Sequence, residues 1–85
     1  MDLYVYSIYD KVSKQSIFIT MHNTSAEAER EFKRAVLNSS LKDKKNDLEL
    51  VLIGEFNTVT LDLDGLSEPL HVLCGSDVTP ESEAL

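Results

Sequence analysis

A chain of 85 residues with a formal net charge of −7, 42% hydrophobic and 27% charged, excludes two independent domains and a wholly disordered polymer. A pI near 4.6 opposes indiscriminate attraction to nucleic acid or an anionic membrane, and a single cysteine excludes an intrachain disulfide. The charge is divided: all eight Lys and Arg lie between Lys11 and Lys45, whereas residues 46–85 carry nine carboxylates and no basic side chain.

Leu3 to Asp10 alternates bulky residues on both faces and is dense in β-branched and aromatic types, which predicts a strand. One face is expected on the core; the other would meet a helix, another chain or a ligand. Polar residues Asp10 to Lys14 precede a second predicted strand, Ser16 to Met21, so an antiparallel hairpin is the economical connection, although its turn holds neither Gly nor Pro. Thr24-Ser25-Ala26-Glu27 has capping-box spacing, and Ala28, Phe32, Ala35 and Val36 recur at helical intervals. A helix therefore begins at Thr24 or Ser25 and ends near Asn38-Ser39-Ser40, and Lys42 to Asp47 reads as a solvated connection.

Leu48 to Phe56 predicts a buried strand, with Leu48, Leu50 and Leu52 on one face and Val51 and Ile53 on the other. Gly54 marks a bulge, a bend or a close backbone approach. Val59 to Leu63 predicts a further strand, Asp64-Gly65 a turn, and Leu70 to Cys74 a short edge strand after Pro69. The expected architecture is a small two-layer α+β domain, β-β-α-β-β with a possible short final strand, over residues 1–74. Residues 75–85 read as an acidic, flexible tail, with room for a short helix after Thr79-Pro80.

Leu3-Tyr4-Val5-Tyr6-Ser7-Ile8-Tyr9-Asp10-Lys11, the Ala28-x-x-x-Phe32 pattern and Leu52-Ile53-Gly54-Glu55-Phe56-Asn57 together resemble the small non-structural protein of gokushovirus-type Microviridae, bacteriophages with circular single-stranded DNA genomes. The resemblance spans residues 3 to 57. It implies an accessory factor of the host cytoplasm, linked to synthesis of the single-stranded genome or its packaging, with single-stranded DNA or a phage replication or packaging protein as partner. It carries no catalytic motif.

Two surfaces are candidates for nucleic acid. Tyr4, Tyr6 and Phe18, with Lys11 and Lys14 among them, would offer stacking rings and phosphate contacts if the rings are exposed. Aromatic residues in strands more commonly pack in a core or a dimer interface. Arg30, Lys33 and Arg34 would contact phosphate from the helix, but Glu27, Glu29 and Glu31 are interleaved with them, as on an ordinary solvated helix face. The alternative function is a dimeric interaction or scaffolding factor that does not touch DNA. The acidic Asp62-Leu63-Asp64 and the lysine-free tail favour that alternative, because they repel phosphate.

An enzyme is not expected. Asp62 and Asp64 read as a solvated edge, Thr24 and Ser25 as caps, and Gly54 and Gly65 form no phosphate-binding loop. His22, His71 and Cys74 are the obvious soft-metal donors, but His71-x-x-Cys74 lacks the further closely spaced ligands of a structural zinc centre, so neither a metal nor a cofactor is expected. With no secretory leader pattern and no apolar run long enough to span a bilayer, the reading is a soluble intracellular protein with no membrane partner.

Overall fold

The computed structural model describes residues 2–38 and 40–78. Strands β1 (Asp2–Asp10), β2 (Gln15–His22), β3 (Leu48–Asn57) and β4 (Leu63–Cys74) form one antiparallel sheet in the order β2-β1-β3-β4, and helix α1 (Ser25–Asn38) packs on one of its faces. This is the β-β-α-β-β domain that the sequence predicts.

The β1–β2 hairpin turns without glycine because Asp10 organises it. Its side-chain Oδ1 accepts from the amides of Val12 at 2.9 Å and Ser13 at 3.2 Å, and its carbonyl accepts from Lys14 N at 2.8 Å. Lys14 takes the left-handed conformation, φ 60°, where a glycine would be easier. Thr24 caps α1 by accepting from Glu27 N at 3.2 Å, but only half of the expected capping box forms: the Glu27 carboxylate instead meets His22 Nδ1 at 3.0 Å and ties the helix start to the end of β2.

The core is assembled by periodicity. Tyr6 and Ile8 from β1 and Leu48 and Leu50 from β3 meet Ala28, Phe32 and Val36 from α1, with Tyr4, Leu52, Val72 and Leu73 at the margin. Cross-strand pairing fixes this arrangement: Ile8 stands opposite Leu50 and Tyr6 opposite Leu52.

Three expectations are revised. Val59 to Leu61 is the loop of the β3–β4 hairpin rather than a strand. Asn57 overrides the alternation, its Oδ1 accepting from Val59 N at 2.9 Å and Thr60 N at 3.0 Å, while Leu61 adopts φ 67°. Asp64-Gly65 is not a turn, because Gly65 pairs with Gly54 inside the hairpin, and the expected short strand after Pro69 is the second half of a continuous β4. An added Cβ on Gly54 would lie 2.5 Å from the Asp64 carbonyl oxygen, so the close approach expected at this glycine is present. Pro69 is tolerated because β4 is an edge strand and residues 66–69 stand opposite Ile53 alone, where the ladder is irregular.

The connection at Ser40–Asp47 is wound into 3₁₀ turns. Packing also continues past the boundary expected at Gly75. Gly75–Asp77 forms a 3₁₀ turn, Val78 is fully buried in the core, and Lys45 Nζ donates to the Val78 carbonyl at 2.6 Å. Gly75 is required there, since a Cβ would collide with the Lys45 carbonyl oxygen. The remainder of the expected tail, and the short helix after Thr79-Pro80, lie outside the described residues.

Candidate interaction surface

The helix covers one face of the sheet, and the register places a second set of side chains on the other. Val5 faces Met21 and Ser7 faces Ile19 across β1 and β2, and Ser7 also faces Val51 across β1 and β3. Ser7, Tyr9, Ile19, Val51, Ile53 and Pro69 line a hollow of about 430 Å³ on this open face. Val51, on a central strand, is 7% exposed, whereas Ile19 on edge strand β2 is 58% exposed. Inside the hollow the polar groups satisfy each other: the Ser7 and Ser16 hydroxyls are 2.6 Å apart. At its margin Glu49 Oε2 accepts from His71 Nδ1 at 2.7 Å, so this face presents a carboxylate already matched by an imidazole.

The residues proposed from sequence to meet DNA are divided among several places. Tyr6 is 3% exposed beneath the start of α1, its ring centroid 6.1 Å from that of His22. Burial, with Tyr4 and Glu29 nearby, pushes its phenol above the ordinary tyrosine range. Tyr4 is half-buried on the same face, and both tyrosines line a shallow hollow with Asn23, Thr24 and Ser25. Neither ring of this pair is laid open as a platform. Phe18 is 58% exposed, but on β2 opposite Ile8, hence on the helix side of the sheet. Arg34 is exposed and paired with Glu31 at 3.2 Å; Arg30 is exposed and Lys33 half-buried on the same helix.

Lys11 and Lys14 are exposed in the β1–β2 turn, and the 3₁₀ segment comes alongside it, Lys11 N donating to the Asp47 carbonyl at 2.8 Å. Backbone amides of Ser13 and Val12 hold the Asp10 carboxyl below the usual carboxylate value, with the Lys44 ammonium adding to the effect. Lys11, Lys14 and Lys44 thus surround one end of the molecule. The far end, at the β3–β4 hairpin, bears Glu55, Asp62, Asp64 and Glu68.

Residues 3–78 match the family described as Phage ORF5 protein. The chain belongs to that family. The Phage ORF5 match covers the four strands apart from Asp2, the helix and the buried Val78, and so extends beyond the segment 3 to 57 that carried the resemblance. It supports a phage protein at a coarser level than gokushovirus-type Microviridae. No curated protein and no solved structure matches the chain. Among the described residues, no helix is long and apolar enough to cross a membrane.

The sequence leaves the second face of β1 to a helix, another chain or a ligand, and the structure sets α1 on the opposite face. Val51 and Ile53 read as facing away from Leu48, Leu50 and Leu52, and among the described residues α1 is the one α-helix. Counting layers would have left that second face without a cover.

Proposed function

We propose that this phage protein is a non-enzymatic accessory factor, of the kind found in gokushovirus-type Microviridae, that acts by protein association and whose open sheet face takes a second copy of the chain. The observation that carries this reading is the face itself. It exposes Ile19, Met21 and part of Ile53 around buried Val5 and Val51, and its carboxylate Glu49 is paired. Contiguous apolar surface of this kind marks interaction sites. Two chains of net charge −7 repel least through an apolar face, and Glu49 is the carboxylate among the residues lining this hollow. Among the described residues lining this hollow there is no lysine or arginine to meet a DNA backbone, and the Tyr9 ring is half-buried.

A dimer so formed would present two basic ends and two acidic hairpins, a scaffold able to bring replication or packaging proteins together in the host cytoplasm. Sedimentation across a concentration series tests the association. Dimers are expected for the wild type, and Ile19→Asp is expected to yield folded monomers by circular dichroism. A folded wild type that stays monomeric at high micromolar concentration overturns the reading.

A second reading has its own observation, the grouping of Lys11, Lys14 and Lys44 at one end, which supports phosphate contact with single-stranded DNA. Fluorescence anisotropy of labelled oligonucleotides across a salt series separates the two. Saturable, salt-sensitive binding that is abolished in Lys11→Glu/Lys14→Glu would favour DNA, and its absence at low salt would leave association alone.

A further inference from the structure

We propose that His71 and Cys74 form a binding site for a thiophilic divalent cation of the zinc class, with Glu49 holding the imidazole in the ligating orientation. The site is created by an irregularity of β4. In a regular strand residues three apart point to opposite faces. Here Leu50 pairs with Leu73 and Val51 pairs with His71, so Val72 is the extra residue of a bulge and His71 and Cys74 emerge on the same side. Glu49 pairs with Cys74 across the ladder and arrives at the same place.

The distances give each group a role. Glu49 Oε2 lies 2.7 Å from His71 Nδ1, so the carboxylate accepts the Nδ1 proton's hydrogen bond and turns Nε2 toward Cys74. Cys74 Sγ lies 3.9 Å from that Nε2. A tetrahedral zinc ion, with bonds of about 2.3 Å to sulfur and about 2.0 Å to nitrogen, holds such donors roughly 3.5 Å apart, so a shift of a few tenths of an ångström closes the site. The donor atoms of Glu49, His71 and Cys74 all fall within 4.8 Å of one another. A carboxylate behind a ligating histidine strengthens it as a donor. Binding converts the Cys74 thiol to a thiolate and releases its proton to solvent; the two further coordination positions fall to water.

The donors belong to one chain, so the site does not depend on the association proposed above. The test is titration of the reduced full chain with Co²⁺ alone, followed by Zn²⁺. A thiolate-to-cobalt charge-transfer band that saturates at one ion per chain and is bleached by zinc is expected. Cys74→Ser should abolish the band, and Glu49→Gln should weaken affinity about 10- to 100-fold while leaving the band's shape unchanged. His71→Gln should weaken binding at least as much. A folded, reduced wild type without the band overturns the proposal, as does a band that persists in Cys74→Ser or is unaffected by His71→Gln. The band should remain in Ile19→Asp; its loss there would overturn a site contained in one chain, whereas a monomeric wild type that keeps the band would sink only the proposed association.

Discussion

The two faces of the sheet carry comparable aliphatic side chains and differ in what lies above them. On the covered face Phe32, Val36 and Ala28 reach down from α1, and Leu48 and Leu50 are sealed. On the open face burial falls off with distance from the central strands: Val5 and Val51 are shielded by their neighbours, and Ile19 and Met21 on β2 stand in solvent. Pairing of strands alone therefore buries the middle of a face. The helix seals that middle completely on one side, while Phe18 on edge strand β2 stays 58% exposed even there.

That contrast is broken most forcefully from the covered side. Phe32→Ala should cost about 3–5 kcal/mol, because it opens a cavity beneath the helix of a small domain. Urea denaturation monitored by circular dichroism should find the variant largely unfolded, whereas Ile19→Ala, at an exposed position, should move monomer stability by no more than about 0.5 kcal/mol. Equal losses for the two would refute the distinction between the faces.

A smaller effect is expected where the sheet depends on bare backbone. Gly54→Ala places a methyl group against the Asp64 carbonyl, and the clash should cost about 1–3 kcal/mol. Hydrogen exchange would locate the damage: amides of the β3–β4 hairpin should lose protection before those of β1–β2, and uniform loss across both hairpins would count against a local cause.

The smallest effect concerns acid. Asp10 has its carboxyl lowered by the Ser13 and Val12 amides, so the folded state binds its proton at lower pH than the unfolded chain does. Its contribution is present above the ordinary carboxylate value of about 3.9 and is lost as pH falls through the lowered folded value. Asp10→Asn keeps an oxygen acceptor for the turn and removes the titration. Its urea midpoint should decline less steeply than that of the wild type below about pH 4. Parallel declines would show that other carboxylates set the acid limit.

Much of the fold is legible because local signals agree with the tertiary arrangement. Thr24 marks the helix start, Ala28, Phe32 and Val36 mark its inner side, and the alternation of Leu48 to Ile53 assigns both faces of β3. The failures occur where backbone detail overrides periodicity. Val59 and Leu61 alternate like strand residues, but the Asn57 side chain folds the backbone into a loop. The side chosen by Tyr4 and Tyr6 depends on register, and β1 has equally bulky residues on both faces. A regular strand would put His71 and Cys74 on opposite sides, and the bulge at Val72 that brings them together leaves no mark in the Leu70 to Cys74 sequence. The open face is a different case: the sequence shows a second bulky face on β1 but not which of the two the helix takes.

The central position of β1 also dictates how the molecule must come together. Its first partner, β2, follows immediately, but its second is distant, Asp2 pairing with Asn57. As the chain emerges from a ribosome, the β1–β2 hairpin can form while one edge of β1 has no partner. Such distant pairing is slow, and a free strand edge is a template for other chains. Only when β3 fills that edge is β1 closed to strand pairing with another copy. Each nascent chain therefore carries an open β1 edge for as long as it takes the ribosome to deliver β3, an interval in which one hairpin can pair with another.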